Sequence, residues 1–249
     1  MNFIDEAPLR IEGRNAVLEA LKNDRNIDKV LVKKGAVEGS IKVIIAKARE
    51  KGIVVSEVVA AKLDELSEHR AHQGVIAVCP AYAYSTVEGI IEKSNQIGEQ
   101  PFIIILDGIE DPHNLGAIIR TADAVGAHGV IIPKRRAVGV TPAVVKASAG
   151  AIEHVPVARV TNITNTIEEL KKLNIWTFCA DATGQPLYDA PLTGAIAIVI
   201  GGEGSGVSRI VREKCDFTVE IPMYGKISSL NASVAAAVVM YEVVRKRIV

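Results

Sequence analysis

Phe102-Ile103-Ile104-Ile105-Leu106 runs straight into Asp107-Gly108 and, a few residues later, into the helical pattern Leu115–Val125. Five consecutive apolar residues that stop at a polar turn read as a strand covered on both faces, because a strand with one wet face alternates. Downstream, strand-like runs at Gly129–Ile132, Ile175–Ala180, Ala195–Ile200 and Phe217–Ile221 are separated by helical patterns. The helices fall at Pro142–Ala149, Ile163–Lys172, Val207–Lys214 and Ser229–Arg247. Buried strands alternating with helices predict an α/β fold with a largely parallel sheet and helices on both faces. Ala232–Val239 is almost wholly small and apolar, so its helix must be covered on all sides, within the domain or by a second subunit.

Upstream, helices at Asn15–Leu21, Ile41–Glu50 and Ala60–Leu66 alternate with strands at Lys29–Val32, Ile53–Glu57 and Gly74–Val78. They predict a small α/β domain over residues 1–80. Residues 81–100 are acidic and poor in strand signal, with one short helix at Val87–Ser94, and read as a linker to a second domain over 101–249. The chain has 249 residues, 49% apolar and 23% charged, which excludes wholesale disorder and supplies cores of ordinary size. No apolar run is long enough to span a bilayer. Met1–Glu6 lacks a basic n-region and an apolar h-region, which predicts a cytoplasmic protein. Cys79, Cys179 and Cys215 lie far apart without C-x-x-C spacing, so reduced, mostly buried thiols are expected and no metal site is signalled.

Twenty-nine basic and 29 acidic residues cancel, yet the charge is unevenly spread. Residues 111–160 carry six basic and three acidic groups, and 209–249 carry seven and four. The sharpest clusters are Lys134-Arg135-Arg136 and Arg245-Lys246-Arg247. The first follows a strand and carries more weight as a phosphate contact; the second ends a helix, where the dipole alone explains it.

Three segments carry chemistry. In Leu106–Ala122 a buried strand joins a helix, and parallel sheets bind ligands at the carboxyl ends of their strands. Asn114 is there either as a helix cap or as a crevice residue. Arg120 lies within Ala117-Ile118-Ile119-Arg120-Thr121-Ala122, where its guanidinium needs solvent, a carboxylate or a ligand phosphate. In Gly201-Gly202-Glu203-Gly204-Ser205-Gly206 four glycines in six positions permit close backbone approach, without the spacing of a Walker or dinucleotide motif. In Ile221–Ala235, Ser228 or Ser229 reads as an N-cap, and Asn231 lies inside an apolar helix, where a buried amide needs partners.

Asp111-Pro112-His113-Asn114-Leu115-Gly116, the glycine turn and Ser229-Leu230-Asn231-Ala232-Ser233, in this order, resemble the SpoU (TrmH-type) branch of the SPOUT RNA 2′-O-ribose methyltransferases. Gly13–Ala20 with His72-Gln73-Gly74-Val75 is similar to the ribosomal-protein-like RNA-binding domain of the rRNA-modifying members. The likeness is greatest to the 23S rRNA guanosine-2′-O-methyltransferases of the RlmB type, although tRNA-modifying relatives share both motifs. It implies a catalytic SPOUT domain in which residues 195–235 form a deep trefoil knot binding S-adenosylmethionine. It further implies cofactor contacts at Gly201, Gly202, Ile221, Met223 and Leu230, and a polar catalytic set of Asn114, Arg120, Glu203, Ser229 and Asn231. RNA contacts fall to Arg14, Asn15, Lys134, Arg135 and Arg136. A homodimer, ribosomal RNA as partner and no membrane complete the expectation. A non-catalytic ribosome-assembly factor on the same scaffold and a nucleotide-dependent oxidoreductase are the alternatives; the second lacks its fingerprint spacing.

Overall fold

The computed structural model describes residues 10–22, 27–36, 39–67, 71–79, 82–204 and 206–248. The reading of Met1–Glu6, the domain limit at Pro80 and the turn residue Ser205 therefore lie outside the described residues. The chain forms two units, Met1–Ala83 and Tyr84–Val249. Among the described residues no helix is long and apolar enough to cross a membrane.

In the first unit the order is β1 (Arg10–Glu12), α1 (Arg14–Lys22), β2 (Lys29–Lys33), α2 (Ser40–Glu50), β3 (Val54–Val58), α3 (Ala60–Leu66) and β4 (Val75–Val78). The sheet order is β1-β4-β2-β3, with β2 and β3 parallel and the other pairs antiparallel. Alternation along β2 and β4 divides the packing. Val30, Val32, Val75 and Ala77 meet Val17 and Leu21 of α1 and Ile41 and Ile44 of α2, whereas Leu31 and Ile76 meet Leu63 of α3.

The second unit contains α4 (Val87–Gln96), β5 (Phe102–Asp107), α5 (Pro112–Ala124), β6 (Gly129–Pro133), α6 (Pro142–Ala147) and β7 (Val157–Val160). It continues with α7 (Ile163–Lys172), β8 (Trp176–Pro186), β9 (Ile196–Gly201), α8 (Arg209–Lys214), β10 (Phe217–Glu220) and α9 (Ala232–Ile248). All six strands pair in parallel in the order β10-β8-β9-β5-β6-β7. Every residue of Phe102–Leu106 is buried, as the continuous apolar run demands. On one face Ile103 and Ile105 pack with Ile90 of α4, Ile167 and Leu170 of α7 and Val211 of α8. On the other, Phe102 receives the Arg247 guanidinium of α9 5.0 Å from its ring centroid.

The expected linker over 81–100 is corrected from Tyr84 onward. Ile90 is fully buried, and a Cβ placed on Gly129 would come within 2.6 Å of it, so α4 fills space that a side chain on β6 would occupy. Ser85 also bridges Ala158, and the Tyr84 hydroxyl accepts from the Val140 amide at 2.7 Å. Two helix starts are corrected as well. Asp111, not Asn114, caps α5, accepting from the His113 amide at 3.0 Å with Pro112 in the first turn. The final helix begins at Ala232 rather than Ser229, and Asn231 precedes it instead of lying within it. All three cysteines are free; Cys79 and Cys179 are buried and Cys215 half-buried.

Candidate active site

Chain order reverses where β5 meets β9, the place at which an open parallel sheet leaves a crevice beyond its carboxyl ends. Asp107, the last residue of β5, stands opposite Gly201, the last of β9. The Asp107 carbonyl accepts from the Gly202 amide at 2.9 Å, and its carboxylate accepts from the Ser208 amide at 2.8 Å. One aspartate therefore pins both ends of the glycine turn, a role the sequence reading did not assign; the signal was an acid ending a buried strand. A Cβ on Gly201 would stand 2.0 Å from the Gly206 carbonyl carbon, and one on Gly202 would stand 2.2 Å from the Gly108 carbonyl oxygen. Only glycine lets these loops close on each other.

The turn presents Glu203 to two asparagines distant in sequence. Asn114 Nδ2 donates to Glu203 Oε1 at 3.0 Å, Asn231 Nδ2 donates to the same oxygen at 2.6 Å, and Asn231 Nδ2 also reaches Asn114 Oδ1 at 3.0 Å. Asn231 Oδ1 accepts from the Ser233 amide at 2.9 Å and its hydroxyl at 2.6 Å, which makes Asn231 the N-cap of α9. Asn114 is buried, so its satisfied amide is part of the fold as well as of the site.

Of the five polar residues expected here, the structure brings together Asn114, Glu203 and Asn231. Arg120 and Ser229 are exposed, and among the described residues neither side chain has a hydrogen-bond partner. Arg120 is six residues beyond Asn114 on α5, about 120° away around the helix. Lys134, Arg135 and Arg136 follow β6 with no side-chain partner among the described residues. Their loop is tied to the β5–α5 loop by the Val138 amide, which donates to the Ile109 carbonyl at 2.9 Å. In the first unit, Arg14 is half-exposed with its Nε donating to the Gln73 carbonyl at 3.0 Å, and Asn15 is exposed.

Ile221–Leu230 forms neither helix nor strand, and every residue from Met223 to Leu230 is exposed. It carries apolar side chains at Met223, Tyr224, Ile227 and Leu230 beside open backbone.

A profile described as the SpoU rRNA methylase family matches residues 101–241, and one described as RNA 2′-O ribose methyltransferase substrate binding matches 10–85. The TrmH family tRNA/rRNA methyltransferase YacO of Bacillus subtilis is 50% identical over 94% of both chains. This chain belongs to the SpoU methyltransferase family. Among solved structures, the SpoU methyltransferase AviRb of Streptomyces viridochromogenes in complex with S-adenosylmethionine is 25% identical, with a TM-score of 0.61 over 99% of this chain and 96% of that one. A solved RNA 2′-O ribose methyltransferase is 26% identical, with a TM-score of 0.56 over 97% and 89%. The protein is thus an S-adenosylmethionine-dependent RNA methyltransferase of α/β SPOUT fold. Its own surface fits that cofactor: an adenine and an aliphatic chain call for apolar contacts and backbone donors, which Ile221–Leu230 offers.

Proposed function

We infer that the chain methylates the ribose 2′-oxygen of a guanosine in the peptidyl-tRNA-binding loop of 23S rRNA. The observation that carries the reading is the Asn114–Glu203–Asn231 cluster, which draws together three motif segments at the switch point of the sheet. The substrate-binding profile over 10–85 supports ribose 2′-oxygen as acceptor.

Gly201, Gly202, Ile221, Met223 and Leu230 would hold S-adenosylmethionine, which supplies a methyl group already activated on a sulfonium. What remains for the protein is alignment and management of the 2′-hydroxyl proton. Arg120 is exposed and without a side-chain partner among the described residues, suited to grip the phosphate beside the target ribose and orient the 2′-hydroxyl. A guanidinium is in general a poor base, because its delocalised charge holds the proton firmly. The proton leaves to that phosphate or to water. Glu203, fixed by two amides, holds the glycine turn at the site, and Ser229 stands on the exposed segment two residues before Asn231. Lys134, Arg135 and Arg136 contact the RNA backbone, as do Arg14 and Asn15 of a domain over 1–80.

The same reading takes residues 195–235 as the knotted segment. β10 lies at the sheet edge beyond β8, whereas α9 returns to pack on β9 and α5. The homodimer reading is supported by α9, whose Val234, Tyr241 and Ile248 leave an exposed apolar stripe at seven-residue spacing opposite the buried Ala236, Val239 and Val243. Methyl transfer from labelled S-adenosylmethionine to unmodified 23S rRNA, followed by mapping, tests the reading. One new 2′-O-methylguanosine in that loop is expected. Transfer to tRNA alone would move the target, and cofactor binding without transfer to any RNA would favour an assembly factor.

A further inference from the structure

At one end of the first unit's sheet, the carboxyl ends of β1, β2 and β3 meet the amino end of β4: Glu12 pairs with Ile76, Val32 with Val75 and Lys33 with Val58. The turn that enters β4, Gln73-Gly74, is the centre of this end. Both residues take positive φ, 49° and 82°, and Gln73 holds that conformation without being glycine. Gln73 engages α1 twice, its Oε1 accepting from the Arg14 amide at 3.1 Å and its carbonyl accepting from Arg14 Nε at 3.0 Å. On the turn's other side, the Gly74 carbonyl accepts from the Lys33 amide at 2.9 Å. A Cβ on Gly74 would lie 3.6 Å from Lys33 Cβ, so the absent side chain leaves room for the lysine stem. One turn thereby fixes the root of two cations.

Among the described residues Glu12 and Asp64 are engaged here, while Glu57 of β3 is exposed. The Ser67 hydroxyl donates to Glu12, and His72 Nε2 meets Asp64 at 3.1 Å while its Nδ1 accepts from the Gly74 amide, which places the ring proton on Nε2. Lys33 and Lys34 are exposed, and among the described residues their ammonium groups have no partner. Among the described residues the Arg14 guanidinium is bonded only through Nε, which leaves its two terminal nitrogens for a ligand.

We propose that the Gln73-Gly74 turn is a phosphodiester bracket, holding Arg14 and Lys33 on either side so that together they grip adjacent phosphates of the substrate RNA, with Gln73 as the positioning residue. The bracket rests on the reading of the chain as an RNA 2′-O-methyltransferase and adds Lys33 and Gln73 to its RNA contacts. Two cations rooted in one turn contact phosphates along one stretch of backbone and read no base.

The full-length chain is titrated with a 23S rRNA fragment and with unmodified tRNA across a salt series. Lys33→Ala is expected to weaken RNA binding roughly fivefold and to lower the slope of log Kd against log salt by about 0.9; Arg14→Ala with Lys33→Ala lowers it by about 1.8. Gln73→Gly keeps the turn, since glycine takes positive φ freely, but releases the Arg14 amide. It should raise KM for RNA about threefold and leave kcat and S-adenosylmethionine binding unchanged. Arg49→Ala, in the last turn of α2 at the opposite end of the sheet, is the control and should change nothing. A wild-type salt slope in Lys33→Ala and in the double variant overturns the bracket. Failure of wild type to methylate 23S rRNA removes the proposed target alone, because the slope is still read on tRNA; binding of neither RNA removes both.

Discussion

Arg245 donates to both oxygens of Glu242, Lys246 to the Tyr188 carbonyl, and Arg247 to the carbonyls of Gln100, Pro101 and Gly194. Lys134, Arg135 and Arg136, an almost identical run, have no side-chain partner among the described residues. The two triads add equally to any charge count and differ in everything else. A cation already bonded to carbonyls must surrender those bonds before it can meet a phosphate, whereas a solvated one gives up only water and counterions. The helix dipole anticipated for the terminal triad is a minor part of its explanation; most of it is direct bonding across the unit.

The contrast is broken or sharpened by substitution, starting with the extreme unpaired case. Arg120→Ala should cut turnover about 100- to 1000-fold while the thermal midpoint and S-adenosylmethionine affinity stay put. A comparable loss of stability would place Arg120 with the structural cations. Arg247→Ala should do the reverse, costing about 2 kcal/mol, or roughly 5 °C in midpoint, through its three abandoned carbonyls and its lost contact with Phe102. Its RNA salt slope should match wild type, and a shallower one would mean that the terminal triad touches RNA after all. Replacing Lys134, Arg135 and Arg136 together by alanine should weaken RNA binding about tenfold and lower the salt slope by up to about 2.7, with no change in urea midpoint.

His128 gives the smallest effect and a link between stability and pH. It is buried, its Nδ1 accepts from the Phe102 amide at 3.0 Å, and Glu99 lies 3.4 Å from Nε2. Burial holds its pKa below the usual 6.5, Glu99 opposes that shift, and the charges of Arg247 and Lys93 reinforce it. With the folded value depressed, the unfolded chain binds the proton more readily. Stability is therefore complete above about pH 6.5 and declines as pH falls towards the folded value. His128→Asn, which keeps an acceptor for the Phe102 amide, should flatten that decline in urea midpoints measured across the window. In Arg247→Ala the decline should begin at the same pH and be smaller, because one repelling charge is gone.

Much of the fold was legible because its strands are continuous apolar runs: Phe102–Leu106 and Ala195–Ile200 could be little else. β1 escaped notice because Arg10-Ile11-Glu12 is too short to show a period. The helix beginning at Val87 is visible in the sequence, but its acidic, serine-bearing stretch hides the burial of Ile90 that makes α4 part of the second unit and not a linker. Both misplaced helix starts come from rivalry between capping residues. Asp111 outcompetes Asn114 because Pro112 presets the first turn, and Asn231 outcompetes Ser228 and Ser229 because Glu203 and Asn114 hold its amide in place. No local pattern reveals that last contact, since Asn114 and Asn231 are 117 residues apart and Asn114 and Glu203 are 89 apart. The family resemblance named these residues; their mutual bonding came only with the structure.

Asn231 serves two masters through one planar group: its oxygen starts α9 and its nitrogen holds Glu203. Any ligand that steadies Glu203 must, by thermodynamic reciprocity, steady the beginning of that helix. The amide protons of Ser233 and Val234, which the Asn231 oxygen accepts, are thus built-in reporters of events at the crevice. Their exchange with deuterated solvent should slow when S-adenosylmethionine is added and quicken in Glu203→Ala.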